Sequence, residues 1–360
     1  MNTNKIYEIT FNKEEIIVTA TLSGSDEWVM LMNSGDVISC KMGDSAGQYL
    51  FSVTKNNFYY EDGGFDITAP STIYTLEAII VVVNDYKRHG FVYHKGMHHA
   101  VNLSREDYHA DISSYPVALF KDKLNVPHLI YGVAWNHLQI MNMDTLQILT
   151  AAKSLIHENA EKDIINFNKE YNQTSNLPWP PEYDYFFGRL EMSPDKNKFL
   201  SAGWVWGSGD FYKVYNVEDF INNSRITDKN IDIWEHNNRA VCWIDDYTIA
   251  VAYHPYNDGR EGATVNSPCE IHFYAIGINE PENKIKTIVV EDLDILTSKF
   301  QYSKFFNAIV VFSNVIGMAL ITLEGQILFK DENFKPVGYY EESNLFLKAE
   351  GKTISLYQIS

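Results

Sequence analysis

Cysteine is almost missing from this chain: Cys40, Cys242 and Cys269 are the only three in 360 residues. An odd number of widely spaced cysteines cannot complete a disulfide framework. Cys242 and Cys269 fall in apolar, strand-like runs, where a thiol behaves as a small hydrophobe. Reduced, buried thiols and a cytoplasmic setting are the expectation. No apolar run approaches the ~20 residues that a membrane-spanning helix needs. The opening MNTNKIYEITFNKEE lacks the basic-then-apolar layout of a secretory signal, so no membrane partner is expected.

Basic residues are also scarce, 29 Lys and Arg against 47 Asp and Glu, for a net charge of −18. A protein that holds nucleic acid neutralises phosphates with clustered Lys and Arg, and no basic block is present. That excludes nucleic acid as the natural partner. The acidic excess serves solubility, and it also steers basic macromolecules toward the surface.

Catalytic signatures are missing too: no G-x-S-x-G elbow, no H-E-x-x-H, no C-x-x-C and no G-x-x-x-x-G-K loop. The carboxylate pairs Asp245-Asp246 and Glu341-Glu342 are adjacent residues that project in opposite directions, which suits a turn rather than shared acid–base work. No enzyme class, cofactor or metal site is indicated by motif.

What the chain has in quantity is aromatic residues, 14% overall with 23 Tyr and 20 Phe, which suit pleated strands. The stretch from Leu190 to Val217, LEMSPDKNKFLSAGWVWGSGDFYKVYNV, reads as one antiparallel unit. Ser193-Pro194-Asp195-Lys196 makes a turn, strand formers follow from Phe199, and a Gly-rich loop carries Trp204 and Trp206 before a further strand. Turns between middle strands recur at Ser34, Asp85, Asn136, Ser208, about Ala263, Asn314 and Glu350, and the first two intervals are each 51 residues. Seven such turns predict a single all-β domain over residues 1–360, a seven-bladed β-propeller of short antiparallel sheets.

The long interval after Asn136 contains an insertion over 151–182, with a short helical pattern in AAKSLIHENAEKDIINFNKE and prolines at 178, 180 and 181. A linker between two domains is the competing account of that segment. The last unit, LFLKAEGKTISLYQIS, lacks an outer strand, and Ile6 to Phe11 or Ile16 to Ala20 supplies it from the N-terminal side.

Residues 184–220 and 240–252 resemble blades of an uncharacterised group of bacterial WD40-like propeller proteins. The matching steps are Gly188-Arg189-Leu190, Ser193-Pro194-Asp195 and Gly203-Trp204-Val205-Trp206. The His-Pro that often follows the second Trp in that group is replaced by Gly207-Ser208, and the Trp-Asp ending of true WD40 repeats is absent, with Tyr215-Asn216 and Phe273-Tyr274 in comparable positions. The resemblance implies the fold and brings no activity with it.

Three groups of residues are candidates for function. His94, His98 and His99, with Asp107, His109 and Asp111, are the densest set of potential metal ligands, although neighbouring residues of a strand point to opposite faces. The aromatic group Trp179, Tyr183, Tyr185, Phe186, Phe187, Trp204 and Trp206, with Arg189, has the composition of a protein-binding anchor or a sugar-stacking cleft. His254 opens a loop, HPYND, of the kind that converges on a propeller's channel mouth. Together these suggest a non-enzymatic interaction or scaffold propeller that binds or neutralises a protein, with a basic partner favoured by charge. The alternative is an enzyme or small-ligand binder, lactonase-, lyase- or glycosidase-like, that uses the central channel.

Overall fold

Ile79–Asn84 is buried along its whole length and Gly317–Thr322 at every residue but Thr322, and both are apolar up to their last residue, so each needs a packing partner on both faces of its sheet. A ring of radial sheets meets that demand, because every sheet then has two neighbours. The computed structural model describes residues 1–11, 15–24, 26–44, 47–55, 57–150, 162, 165–166, 169–170, 185–207, 209–222, 228–234, 239–257, 259–278, 283–291, 293–296 and 298–360. In it, seven small antiparallel sheets stand in a ring as a seven-bladed β-propeller, with 5% helix.

From the inside outward, the first blade is Ile17–Leu22, Glu27–Met32, Asp36–Lys41 and Gln48–Ser52, and the second is Ser71–Leu76, Ile79–Asn84, His89–His94 and Val101–Ser104. The third has Val117–Lys121, Pro127–Ala134 and His137–Asn142, with Leu149 bonding to the Ile140 carbonyl beyond them. The fourth comprises Phe186–Met192, Lys198–Val205, Gly209–Asn216 and Asp228–Trp234, and the fifth Val241–Trp243, Thr248–Tyr253, Cys269–Ala275 and Lys284–Val290. Lys299–Ser303, Ala308–Ser313, Gly317–Thr322 and Ile327–Asp331 form the sixth. In the seventh, Gly338–Tyr340, Leu345–Glu350 and Thr353–Ile359 are completed by the N-terminal strand Thr3–Thr10.

Six of the seven turns read from the sequence fall between the second and third strands of successive blades, and Ser208, the anchor of the remaining one, lies outside the described residues. Of the two candidates for the closing strand, Thr3–Thr10 takes the outer place, in antiparallel register from Thr3 opposite Ile359 to Thr10 opposite Thr353. Ile17–Leu22 instead becomes the innermost strand of the first blade, where Ile17, Ala20 and Leu22 are buried. Most of 151–182 lies outside the described residues; Lys162, Ile165, Asn166, Lys169 and Glu170 are helical and exposed.

Period-two alternation divides each strand between two interfaces. Trp28, Met30 and Met32 pack with Leu345, Leu347, Ile354 and Leu356 of the seventh blade, while Val29 and Leu31 pack with Ile80, Val82 and Phe91 of the second. Each of the seven junctions holds one such apolar cluster, including the junction that closes the ring.

The fourth blade explains its own glycines. Its first two strands shift register between Phe186 and Arg189, and at that bulge a Cβ on Gly188 would fall on the Ala202 carbonyl oxygen. A Cβ on Gly203 would meet both the Phe186 carbonyl and the Tyr185 hydroxyl. Both contacts involve backbone that cannot step aside. Gly188→Ala and Gly203→Ala are therefore each expected to destabilise the protein by about 2–3 kcal/mol, read as a lower thermal midpoint. Midpoints equal to the parent's would show that the two backbones are not held this close.

Candidate functional site

Because strands in a blade alternate in direction, the turns between second and third strands share one face of the disc with the loops that lead to the next blade. Trp135 lies in such a turn in the third blade and Trp206 in the fourth; Tyr108 and His109 lie in the loop from the second blade to the third. Neighbouring blades thus bring these residues together with Phe186 at the start of the fourth blade.

The result is a corner of aromatic planes. Phe186 and Trp204 stack at 3.8 Å and 8°, and Trp206 stands nearly perpendicular to both, 5.4 Å from Phe186 and 5.8 Å from Trp204. The His109 imidazole is edge-on to Trp206 at 4.9 Å, and Tyr108 reaches both Trp135 at 5.8 Å and Trp206 at 6.1 Å. Phe186 and Trp204 are buried, and the Trp204 indole donates to the Ser113 hydroxyl at 2.8 Å. Tyr108 and Trp206 remain 49% and 50% exposed. The inner rings fix the position of an outer pair that meets solvent.

The loop that carries Tyr108 is locked by Arg105, which is itself 4% exposed. Its Nε donates to the Lys87 carbonyl at 2.9 Å, Nη1 to Ser114 at 3.3 Å, and Nη2 to Ala110 and Ser113 at 2.9 and 2.7 Å. The guanidinium also lies 4.9 Å over the Tyr115 ring. Burial pushes its pKa down to about 10, because the charged form has lost its water. Within the loop His109 adopts φ +53°, a left-handed conformation that costs energy in a non-glycine residue and is held here by surrounding bonds.

On the other side of the same loop opens a cleft of about 530 Å3, lined in part by Asp62, Asp66, Tyr86, Arg88, Asp107 and Asp111. His89 Nε2 lies 2.8 Å from Asp62, and Arg88 Nη1 lies 3.1 Å from it. Burial disfavours the Asp62 carboxylate, but the His89 bond, the Gly64 amide and Arg88 outweigh it and hold the carboxyl below its usual range. Bonds from Lys87 and Thr68 hold Asp66 at about 2. Among the described residues no cation lies within ion-pair distance of Glu106, Asp107 or Asp111.

Neighbouring inner strands lie beside one another, and a second set of charges gathers at them: Arg189 and Glu191 on the inner strand of the fourth blade, Lys299 at the start of that of the sixth, and Asp85 in the turn after the second strand of the second blade. Arg189 pairs with Glu191 at 2.7 Å and donates to the Val241 carbonyl at 3.1 Å. Burial raises the Glu191 carboxyl against the pull of Arg189. Burial likewise raises Asp85, opposed by a Thr72 hydrogen bond and by Lys299, and lowers Lys299, opposed by Asp85.

The residues singled out in the sequence therefore separate. Tyr185 is buried between the third and fourth blades, its hydroxyl donating to the Phe211 carbonyl at 2.9 Å. Arg189 belongs to the channel, and Trp204 and Trp206 to the aromatic corner. His254 lines a separate cleft of about 420 Å3 with Asn257 and Asp294 in the fifth blade. Trp179 and Tyr183 lie outside the described residues. His94, His98 and His99 follow a third strand toward the opposite face from His109, and among the described residues no three His, Cys, Asp or Glu side chains converge as metal ligands.

Tyr108, Trp135 and Arg105 were not singled out as binding or positioning residues from sequence. The signal available was positional: Trp135-Asn136 is one of the seven turns, and the loop after Ser104 enters the next blade, so both belong to the face that carries Trp206. No protein-family model and no curated protein matches this chain.

Proposed function

We propose that this protein is a non-enzymatic interaction propeller that docks a protein partner on the face bearing Tyr108 and Trp206, as a scaffold or as a neutralising cover. The observation that carries this is the pair of half-exposed aromatic rings on a rigid base: Trp206 rests against the buried Phe186 and Trp204 stack, and Arg105 locks the loop of Tyr108. Rigid Trp and Tyr anchors lose little conformational freedom on binding and dominate interface energetics. The net charge of −18 favours a basic partner. A cytoplasmic setting agrees with three free cysteines, all buried. Kinship with bacterial WD40-like propellers rests on the Gly188-Arg189-Leu190 and Gly203-Trp204-Val205-Trp206 steps.

Affinity capture from native lysate, followed by calorimetry with the purified captured protein, tests the proposal. Trp206→Ala and Tyr108→Ala are each expected to weaken binding about tenfold or more at an unchanged melting temperature. Trp204→Ala is unsuitable as a contact probe, because it empties a buried site and lowers the melting temperature itself. Undiminished affinity in both surface variants would overturn the assignment of this face.

The second reading, a small ligand in the channel, rests on the Asp85, Lys299, Arg189 and Glu191 charges. Thermal shift against a panel of small polar ligands discriminates the two, since a channel ligand would raise the midpoint in the Trp206→Ala variant as much as in the parent.

A further inference from the structure

On the second reading, a small ligand held in the channel, we infer that the ligand is a zwitterion of the amino-acid class, its carboxylate taken by Lys299 of the sixth blade and its ammonium by Asp85 of the second.

Ring topology locates the site. Asp85 belongs to the second blade, Arg189 and Glu191 to the fourth and Lys299 to the sixth, so no two of these blades are neighbours. Side chains of blades kept apart by a whole sheet act on one another across the axis. Lys299 lies in the fields of Asp85 and Arg189, and Tyr74 of the second blade in those of Arg189 and Glu191. Asp85 is half-buried and Lys299 exposed, so solvent reaches both.

Two of the four charges are already matched. Arg189 holds Glu191 at 2.7 Å and donates to the Val241 carbonyl at 3.1 Å, which leaves one charge of each sign. Among the described residues neither Asp85 nor Lys299 stands within ion-pair distance of an opposite charge. Burial raises the Asp85 carboxyl and lowers the Lys299 ammonium, and the attraction between them falls short of offsetting it. Each therefore lacks a close counter-ion.

That pattern selects the occupant. An anion beside Lys299 would meet Asp85, and a cation beside Asp85 would meet Lys299 and Arg189. A neutral polar molecule leaves both charges uncompensated. A molecule that carries a carboxylate and an ammonium gives each side chain its own charge-assisted hydrogen bond and adds no net charge to the cluster.

The test titrates the full-length protein at low salt with glycine, L-alanine, β-alanine and γ-aminobutyrate, followed by calorimetry. Each is compared with its N-acetyl derivative, which keeps only the carboxylate, and its primary amide, which keeps only the ammonium. At least one zwitterion is expected to bind at least tenfold more tightly than both of its derivatives. That preference should fall at least tenfold in Lys299→Met and in Asp85→Asn, and stay unchanged in Trp206→Ala. Derivatives that bind as tightly as the zwitterions, or an undiminished preference in Lys299→Met or Asp85→Asn, overturn the inference, and the comparison on the parent protein needs no variant to fold. If the derivatives bind equally well and Lys299→Met abolishes all binding, the channel ligand stands and only its zwitterionic character falls. If no zwitterion binds but another small polar ligand raises the melting midpoint, again only the inference falls. If nothing binds, both fall.

Discussion

Replacement of Arg105 by Met is expected to destabilise the protein by about 4 kcal/mol and to abolish binding at the Tyr108–Trp206 face. The guanidinium donates to four carbonyls, those of Lys87, Ala110, Ser113 and Ser114. A buried carbonyl left without a donor costs about 1–3 kcal/mol, so even partial hydration of the emptied site leaves a deficit of this size. Met matches the length of the stem and keeps the apolar packing on Tyr115, which isolates the loss of the donors. Arg105→Lys is expected to recover only part of the loss, because an ammonium cannot reproduce a planar fork that spans carbonyls on two segments of chain. Chemical denaturation gives the stability change, and amide hydrogen exchange across 106–114 locates it. A variant with parental stability and slow exchange in that segment would show that Arg105 does not hold the loop.

Removal of residues 1–10 is the second large effect. Thr3–Thr10 is the outer strand of the seventh blade, paired with Thr353–Ile359 at seven positions from Thr3 to Thr10. At about 0.5–1.5 kcal/mol per net backbone hydrogen bond, the lost pairing is worth about 5 kcal/mol. Tyr7 adds to it, since its ring packs 5.5 Å from Trp28 and its hydroxyl accepts from the Gly43 amide at 2.8 Å, tying the seventh blade to the first. The truncated chain would also present Thr353–Ile359 as an open edge ready to pair with a second copy. Size-exclusion chromatography is expected to show oligomers and calorimetry a lower midpoint. A monomeric product as stable as the parent would mean that the strand is ornamental.

Much of the ring is legible before any coordinates, because two-sided burial leaves uninterrupted apolar runs such as IIVVV at Ile79–Val83 and AIVVF at Ala308–Phe312, and each turn between them carries Gly, Asn, Ser or Asp. The aromatic corner is only half legible. Trp204 and Trp206 are visible as a motif, but Trp204 bonds to Ser113, 91 positions away, and no local pattern announces that contact. It arises from the packing of the second, third and fourth blades. The opposite lesson comes from His94 and His109, which are close in the chain yet belong to opposite faces, because the strand Val101–Ser104 carries the backbone across the sheet between them. Arg105 is invisible for a simpler reason: a single arginine at a strand end looks like any solvated charge until its four carbonyl partners fold around it.

Ring closure also imposes a timetable. Thr10 and Thr353 are hydrogen-bonded across 343 positions, so on a ribosome the first strand leaves the exit tunnel long before its partner has been made. Six blades can be assembled by local meanders in the meantime, each adding one apolar junction to the last. The final junction and the final strand must wait, and the entropy of closing so long a chain is already reduced by the curvature of the six blades that preceded it. The seam between the seventh blade and the first is therefore the last part of the molecule to form, and the interval before it forms is when a nascent chain is most exposed to pairing with the wrong strand.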